Sequence, residues 1–346
     1  MPGNVREAVL EASSLTRLWY TRCPVPSASG IAIARGLLEA EYAADGIDIG
    51  PITDAGTSTQ ESHFSHGLSA LFREGGNVPA LTARAGGAKT VLIGLTFVPE
   101  FQAVAVLPGS PVRDMRQLAG RRLLIPDHGV ARVDFFQAMS LRGYAHALSS
   151  IGSTLEQCEL VRVPRPPAVL GDSKTDGYDW EIDALKAGSG DAISIKGAHG
   201  ADLVLNGIVR PIWQVDMAGP RIDQVNNGTP RTITVSAELA GQRPDIVDRY
   251  MRTLLMAARW GATRRADVAG IVAREIGASI AGVDAAYGER MAAHLAPSLD
   301  DELVACLEDQ KRFLLRRGFM SRDFDLKDWI DPAPLRRALA WQTDKA

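Results

Sequence analysis

The sequence predicts an α/β protein with mainly parallel sheets and a helical C-terminal region. Short apolar runs typical of buried strands, such as residues 90–95 and 103–107, alternate with helical patterns through the first two thirds of the chain. From residue 244 to about 316 the pattern is mostly helical. The 346 residues are enough for about two domains of ordinary size.

The first strand is predicted from the apolar stretch at residues 15–20, and a lone thiol follows it. Cys23 lies between this strand and a helical pattern, and the prolines at 24 and 26 favour an extended backbone before each of them. Ser27 is placed to cap the helix. In open α/β sheets, ligands bind at the carboxyl ends of strands, so this turn is a candidate site for chemistry. The alternative is an inert cysteine that packs as a small hydrophobic residue.

The next elements are a helix over residues 28–44, a short strand at 47–49 and a loop at 54–59. A second amphipathic helix is then predicted, and it ends at Gly75-Gly76. Its apolar residues fall at helical spacing: Phe64, Leu68, Leu71 and Phe72. His63 and Arg73 are ten residues apart and would point about 80° apart on one helix. Both reach one pocket only if this helix is distorted, which Gly67 would permit.

The middle of the chain repeats the strand–helix alternation. Residues 110–122 read as a turn and short helix leading into a strand at 123–126, and residues 183–193 read as a helix, a glycine turn and a strand. Between these segments, the Pro/Gly/Asp-rich stretch at 164–179 is predicted to be an exposed loop.

Composition excludes several function classes. The formal net charge of −3 offers no electrostatic case for nucleic acid, and no apolar run approaches the roughly 18 residues of a membrane helix. The acidic N-terminal segment lacks the pattern of a secretory signal, so we expect a cytoplasmic protein, and a monomer. The three cysteines have no metal-ligand spacing, and no metal site is predicted.

Two segments resemble the second lobe of bilobal periplasmic solute-binding proteins: residues 110–125, beginning Ser-Pro-Val-Arg-Asp, and residues 184–193. This resemblance implies a type II periplasmic-binding-protein-like fold, with two α/β lobes around a central cleft and a helical C-terminal region. It places residues 1–106 plus 230–346 in the first lobe, which would carry the catalytic residues. Residues 107–229 would form a second lobe that closes the cleft.

The first 76 residues resemble a more specific group, the aromatic sulfinate desulfinases. The resemblance rests on Tyr-Thr-Arg-Cys-Pro-Val-Pro at 20–26, His63-Phe64, and Arg-Glu-Gly-Gly at 73–76. It recurs at 118–122, 295–300, 312–315 and 328–329, and is weak from about 128 to 180. In that family a cysteine, a histidine, an arginine and a glycine form the site. They match Cys23, His63, Arg73 and Gly76.

The resemblance implies cofactor-independent cleavage of the C–S bond of an aromatic sulfinate, of the hydroxybiphenyl kind, with release of sulfite. Cys23 would act either as the acid that protonates the ring carbon or as a nucleophile toward sulfur. Arg73 would bind the anionic sulfinate through its forked guanidinium, aided by backbone N–H groups at Gly75 and Gly76. His63, with an ordinary pKa near 6.5, would exchange protons with the site.

Phe64 and His66 complete the predicted substrate-binding residues. Without the resemblance, the alternative interpretation of Arg73 is a solvated cation at a helix end, and that of His63 is a polar residue at a helix start. The main functional alternative is a non-catalytic solute-binding protein for an aromatic or organosulfur ligand, since hinged lobes suit capture. A thiamine-pyrimidine-type synthase ranks below both, because the chain lacks the cysteine cluster of that group.

Overall fold

The computed structural model describes residues 15–54, 61–129, 133–166 and 177–343. Its strands form two five-stranded sheets with the orders β2-β1-β3-β10-β4 and β7-β6-β8-β5-β9. The strands are β1 (Arg17–Arg22), β2 (Asp48–Pro51), β3 (Leu71–Gly75), β4 (Thr90–Thr96), β5 (Gln102–Val106), β6 (Arg122–Asp127), β7 (Glu159–Pro164), β8 (Ala192–Lys196), β9 (Arg210–Gln214) and β10 (Arg231–Ser236).

Helices cover both sheets, and the last six in the described chain follow one another after β10. The helices are α1 (Ala28–Ala34), α2 (Leu37–Ala43), α3 (Ser62–Ser65), α4 (Asn77–Ala85), α5 (Phe135–Ser149), α6 (Asp179–Lys186), α7 (Gly197–Leu205), α8 (Ala237–Gln242), α9 (Pro244–Ala262), α10 (Arg265–Ile276), α11 (Ile280–Tyr287), α12 (Asp301–Arg316) and α13 (Ala333–Thr343). The predicted helical C-terminal region is confirmed. In the part of the chain that the structure describes, no helix is both long and apolar enough to cross a membrane.

The sheets are mixed: in each of them four strands run in one direction and one strand runs against them. In the first sheet β1 pairs in parallel with β2 and β3, but β10 runs antiparallel to β3 and β4. The second sheet has the same plan, with β5 as its antiparallel strand. The chain passes from the first sheet to the second before β5 and returns to the first sheet before β10. These two strands, β5 and β10, are the ones that run against the others in their sheets.

The two sheets agree with a bilobal α/β fold. The predicted lobe boundary at residue 106 placed β5 in the first lobe, whereas β5 pairs only with strands of the second sheet. We therefore propose the crossings as the lobe boundaries, at about residues 97–101 and 215–230.

The predicted amphipathic helix ending at Gly75-Gly76 is wrong. The chain forms the short helix α3, turns at His66, and then enters strand β3, all five residues of which are buried. Strand β3 lies between β1 and β10, so its backbone hydrogen bonds are satisfied from both sides. Pairing with a strand on each side stabilises β3 more than the helical spacing of four apolar residues would stabilise a helix.

Other elements differ in detail. The predicted helix over 28–44 is two helices, α1 and α2, because Gly36 adopts a left-handed conformation with φ 64° between them. The strand predicted at 47–49 is β2. Of the predicted loops, residues 55–59 and 167–176 lie outside the described residues. Strand β7 ends at Pro164, the first residue of the second predicted loop.

Candidate active site

Cys23 is held in the turn between β1 and α1, as the sequence predicts. Its backbone N–H donates to the carbonyl of Glu74 (3.2 Å), and its carbonyl accepts from the N–H of Val25 (2.9 Å). Ser27 caps α1 by accepting from the N–H of Gly30 (3.0 Å). The half-buried thiol faces a cavity of about 170 Å³ at the carboxyl ends of the sheet strands.

The thiol packs directly over Gly75. A β-carbon at this position would lie 2.7 Å from the Cys23 Sγ and 3.4 Å from the Nη2 of Arg73. The backbone of Gly75 is not left-handed, so the glycine is required for space and not for conformation. Gly75 therefore allows the thiol and the guanidinium to approach each other across its bare backbone.

Arg73 lies on β3, with only 1% of its surface exposed. Its Nε donates to the carbonyl of His63 (3.2 Å), and its Nη1 donates to the carbonyl of Gly76 (3.2 Å) and the Oγ1 of Thr232 (3.5 Å). Its Nη2 is buried without an acceptor. Burial lowers the pKa of Arg73, and the nearby Cys23 thiol opposes that shift. A buried cation without a carboxylate partner among the described residues is suited to an incoming anion.

His63 enters the same cavity from α3. The Oγ1 of Thr21 lies 2.7 Å from its Nδ1 and fixes the ring. Burial, the charge of Arg73 and His66 together hold the pKa of His63 well below its ordinary value. His63 is therefore neutral at pH 7, which corrects the expectation that it titrates near neutrality. Its ring stands edge-on to Phe64, with centroids 4.7 Å apart.

The structure brings most of the predicted site residues together. Cys23, His63, Phe64 and Gly76 line the cavity, while Arg73 and Gly75 lie immediately behind the thiol. Asn227 caps the start of α4, because its carbonyl and its Oδ1 accept from the first two N–H groups of that helix (both 2.8 Å).

His66 is buried beside this group but does not line the cavity. It adopts a left-handed backbone with φ 55°, and both of its ring nitrogens are buried without a partner. Burial, and then the charge of Arg73, lower the pKa of His66 well below its ordinary value.

Replacing His66 with asparagine, which tolerates the left-handed conformation, is expected to weaken the acid sensitivity of the fold. The folded state keeps His66 unprotonated, whereas the unfolded state binds a proton there below about pH 6.5. The contribution of His66 to the free energy of unfolding is therefore complete above about pH 6.5 and is lost as the pH falls. Each such histidine contributes a slope of about 1.4 kcal/mol per pH unit. Urea denaturation of the unaltered protein and of His66→Asn, at pH 7.0 and at a series of lower pH values, measures how steeply the free energy of unfolding falls with pH. An unchanged slope in His66→Asn would contradict the assignment.

Sequence reasoning missed the rest of the cavity. Its apolar wall comes from α5 and consists of Phe135, Phe136 and Met139. Its other polar end consists of Glu100, Tyr178, Lys196, Asn227, Arg231 and Tyr287. One signal was available: Lys196 ends the apolar strand β8 and Arg231 begins the fully buried strand β10. Charged residues at the ends of buried strands mark the edge of the sheet at which ligands bind.

Comparison with characterised proteins agrees with the resemblance. The chain is 28% identical, over 95% of its length and 95% of theirs, to the 2′-hydroxybiphenyl-2-sulfinate desulfinases of Rhodococcus erythropolis and Rhodococcus qingshengii. No family model matches the sequence.

Solved structures show the same fold. The desulfurization enzyme DSZB, and its cysteine-to-serine mutant in complex with biphenyl-2-sulfinic acid, match with a TM-score of 0.72 at 24% identity. The match covers 94% of this chain and 99% of theirs. The periplasmic aliphatic sulphonate binding protein SsuA from Escherichia coli matches with a TM-score of 0.64 at 16% identity, over 92% of each chain. The resemblance to the aromatic sulfinate desulfinases and the periplasmic-binding-protein-like fold are thus both confirmed over nearly the whole chain.

Proposed function

We propose that this protein is an enzyme that cleaves the C–S bond of an aromatic sulfinate and releases sulfite, without a cofactor. The observation that carries the proposal is the Cys23 thiol, which faces an aromatic-walled cavity and lies beside the unpaired Nη2 of Arg73. The 28% identity to the 2′-hydroxybiphenyl-2-sulfinate desulfinases supports this reaction class.

The cavity suits both halves of an aryl sulfinate. Phe64 and Phe135 stack with their ring centroids 6.1 Å apart, and together with Phe136 they provide flat apolar surface for an aromatic ring. A sulfinate oxygen brought beside Cys23 gives the Arg73 Nη2 the acceptor that it lacks. Charge-assisted hydrogen bonds of this kind are stronger than neutral ones and fix the orientation of the group.

Cys23 can break the C–S bond in two ways. As an acid, it donates its proton to the ring carbon, the C–S electron pair forms the new C–H bond, and SO₂ departs. Water adds to SO₂ to give hydrogen sulfite, and the proton released restores the thiol. As a nucleophile, the thiolate bonds to sulfur while the aryl group leaves with a solvent proton. Water then cleaves the Cys–S–SO₂⁻ adduct to hydrogen sulfite, the thiolate and a proton, which replaces the proton that the aryl group took from solvent.

His63 acts as a neutral group in this proposal. We assign the neutral tautomer in which the Thr21 hydroxyl, 2.7 Å from Nδ1, donates to that atom, so that the ring proton lies on Nε2 and can be donated to a sulfinate oxygen. The depressed pKa of His63 suits this role better than that of a base, since the ring stays neutral over the ordinary pH range.

A sulfite-release assay over a panel of aryl and alkyl sulfinates tests the reaction class. We expect turnover of aryl sulfinates such as biphenyl-2-sulfinate and none of alkyl sulfinates, which offer no aromatic carbon to protonate. The absence of sulfite from every aryl sulfinate would contradict the proposal. Intact-mass analysis of rapidly quenched enzyme separates the two routes, because only the nucleophilic one adds the mass of SO₂ to Cys23.

A solute-binding protein is the second candidate, because the alkanesulfonate-binding protein SsuA of Xanthomonas axonopodis, bound to MOPS, shares the fold with a TM-score of 0.63. A binder returns its ligand intact. Recovery of unchanged aryl sulfinate after long incubation, together with protection of Cys23 from alkylation, would favour that candidate. A cytoplasmic location and a monomeric state remain predictions from the sequence.

Replacing Gly75 with alanine is expected to lower the turnover number about 10-fold to 100-fold. The new methyl group must push the Cys23 thiol away from Arg73, and misplacement of a reacting group by about 1 Å costs up to about 100-fold. Overpacking should also destabilise the fold by about 1–3 kcal/mol. Sulfite-release kinetics and urea denaturation measure the two effects.

Gly241→Ala is the matched control, because a β-carbon there meets nothing within 4 Å on helix α8. Equal turnover in the two alanine variants would show that the thiol does not need its position over Gly75.

A further inference from the structure

The cavity has a second charged end, formed by Glu100, Lys196 and Arg231, which we call the cationic subsite. The Lys196 Nζ lies 2.6 Å from Glu100 Oε1, and the Arg231 Nη2 lies 3.6 Å from Glu100 Oε2. Arg231 is fully buried, and none of its three guanidinium nitrogens has a hydrogen-bond partner. The subsite therefore holds donors that the described protein leaves unused.

The charges of the cationic subsite do not cancel. Within ion-pair distance two cations share a single carboxylate, and Lys196 makes the closer contact with it. The buried Glu74 carboxyl also interacts with Arg231, but burial raises the pKa of Glu74, and it already accepts from the Ser29 N–H (3.1 Å) and the Thr96 hydroxyl (3.5 Å). The neighbouring phenols supply no compensating charge, because burial raises the pKa values of Tyr178 and Tyr287 and keeps both groups neutral. A buried cation is costly unless it is paired. The excess positive charge, with the unpaired N–H groups of Arg231, calls for an anion.

The loop at Asn227-Gly228 joins this subsite to the thiol end of the cavity. The Asn227 side chain packs on Gly76, where a β-carbon would meet it at 2.4 Å. A β-carbon on Gly228 would meet the Glu100 Oε1 at 2.4 Å and the Lys196 Nζ at 3.1 Å. Residues of both ends line the same cavity, and these two adjacent residues connect them, so one aromatic ligand with two substituents can contact both ends.

We propose that the cationic subsite binds a carboxylate carried by the aromatic sulfinate, so that the preferred substrate is an acid at both ends. This proposal rests on the proposed function for the sulfinate end. A carboxylate offers two oxygens to the fork of Arg231 and balances the excess charge. A neutral hydroxyl would leave that charge uncompensated. The subsite thus determines specificity and takes no part in C–S cleavage.

Calorimetric titration of the Cys23→Ser variant tests the proposal without turnover. The ligands are biphenyl-2-sulfinate and its analogues with a carboxylate or a hydroxyl on the distal ring. We expect the carboxylate analogue to bind at least about tenfold more tightly than the other two, as charged hydrogen bonds allow. In this background, Lys196→Met should reduce that preference to about threefold or less by removing the excess charge.

Lys186→Met is the matched control, since Lys186 is an exposed lysine that does not line the cavity and lies 3.8 Å from Asp183. It should retain the full preference. Arg231→Lys, checked for folding by circular dichroism, is the second test variant and should also lose the preference, because it lacks the fork.

Three results would overturn the subsite: no preference for the carboxylate, an equal preference for the hydroxyl, or a preference that survives in both test variants. Failure of the proposed function is distinguishable from these outcomes. It would appear as absence of sulfite release by the unaltered protein, whereas the binding preference is measured in the serine variant whether or not the reaction occurs.

Discussion

Replacing Cys23 with serine is expected to lower the turnover number for sulfite release by about a thousandfold or more. Serine keeps the size and the turn geometry, but its hydroxyl is a much weaker acid and a poorer nucleophile than the thiol. General acid catalysis alone contributes about 10²-fold to 10⁴-fold. The loss is therefore expected whichever role Cys23 plays.

The dissociation constant of an aryl sulfinate should change little in Cys23→Ser, because the aromatic wall and Arg73 are intact. Cys158→Ser is the matched control, since Cys158 is also half-buried but donates to the carbonyl of Leu118 (3.4 Å) and does not line the cavity. Sulfite-release kinetics on both variants measure the difference. Turnover within tenfold of the original in Cys23→Ser would contradict a chemical role for the thiol.

Replacing Arg73 has the second largest expected effect. Arg73→Lys should lower kcat/KM about a hundredfold, the usual cost of removing a hydrogen-bond donor from a developing charge. A lysine ammonium cannot donate to the His63 carbonyl, the Gly76 carbonyl and an incoming oxygen in the planar arrangement that the guanidinium provides. Arg73→Met also removes the charge, and it should cost at least another factor of ten.

Replacing a second arginine, Arg84, separates the effect of losing contacts to carbonyl groups from the effect of losing anion binding. Arg84 donates to the carbonyls of Thr90 (3.3 Å) and Asp328 (3.2 Å) and does not line the cavity. Arg84→Met should alter the free energy of unfolding but leave kcat/KM within about threefold. Equal losses of activity in Arg73→Met and Arg84→Met, at equal stability, would show that Arg73 is only a structural residue.

The turn that carries Cys23 could be predicted because its signals are local. The prolines at 24 and 26, the capping Ser27 and the preceding apolar run all lie within a dozen residues. The structure has each of these features where the pattern places them. Local steric and capping preferences act without knowledge of the rest of the fold.

Strand β3 could not be predicted in the same way, because it is stabilised by partners distant in sequence. Its residues Arg73 and Glu74 are charged yet fully buried, which contradicts the apolar pattern of a central strand. Such departures are expected where function requires them. The strand also removes the geometric problem of the sequence prediction, since His63 on α3 and Arg73 on β3 approach one site without a distorted helix.

The contacts within the cationic subsite could not be predicted from local sequence. Glu100, Lys196 and Arg231 come from three segments that are about 35 to 130 residues apart, and the two chain crossings between the sheets bring them together. Pairwise spacing in the sequence therefore carries no information on their contact, although their positions at strand ends do indicate the right edge of each sheet.

The most direct test of the central claim is product analysis of the unaltered protein incubated with biphenyl-2-sulfinate in D₂O. Cleavage of the C–S bond predicts one equivalent of sulfite for each equivalent of biphenyl, with a single deuterium at the carbon that carried sulfur. Recovery of the sulfinate intact, at protein concentrations at which calorimetry shows that it binds, would contradict the claim and identify a binding protein.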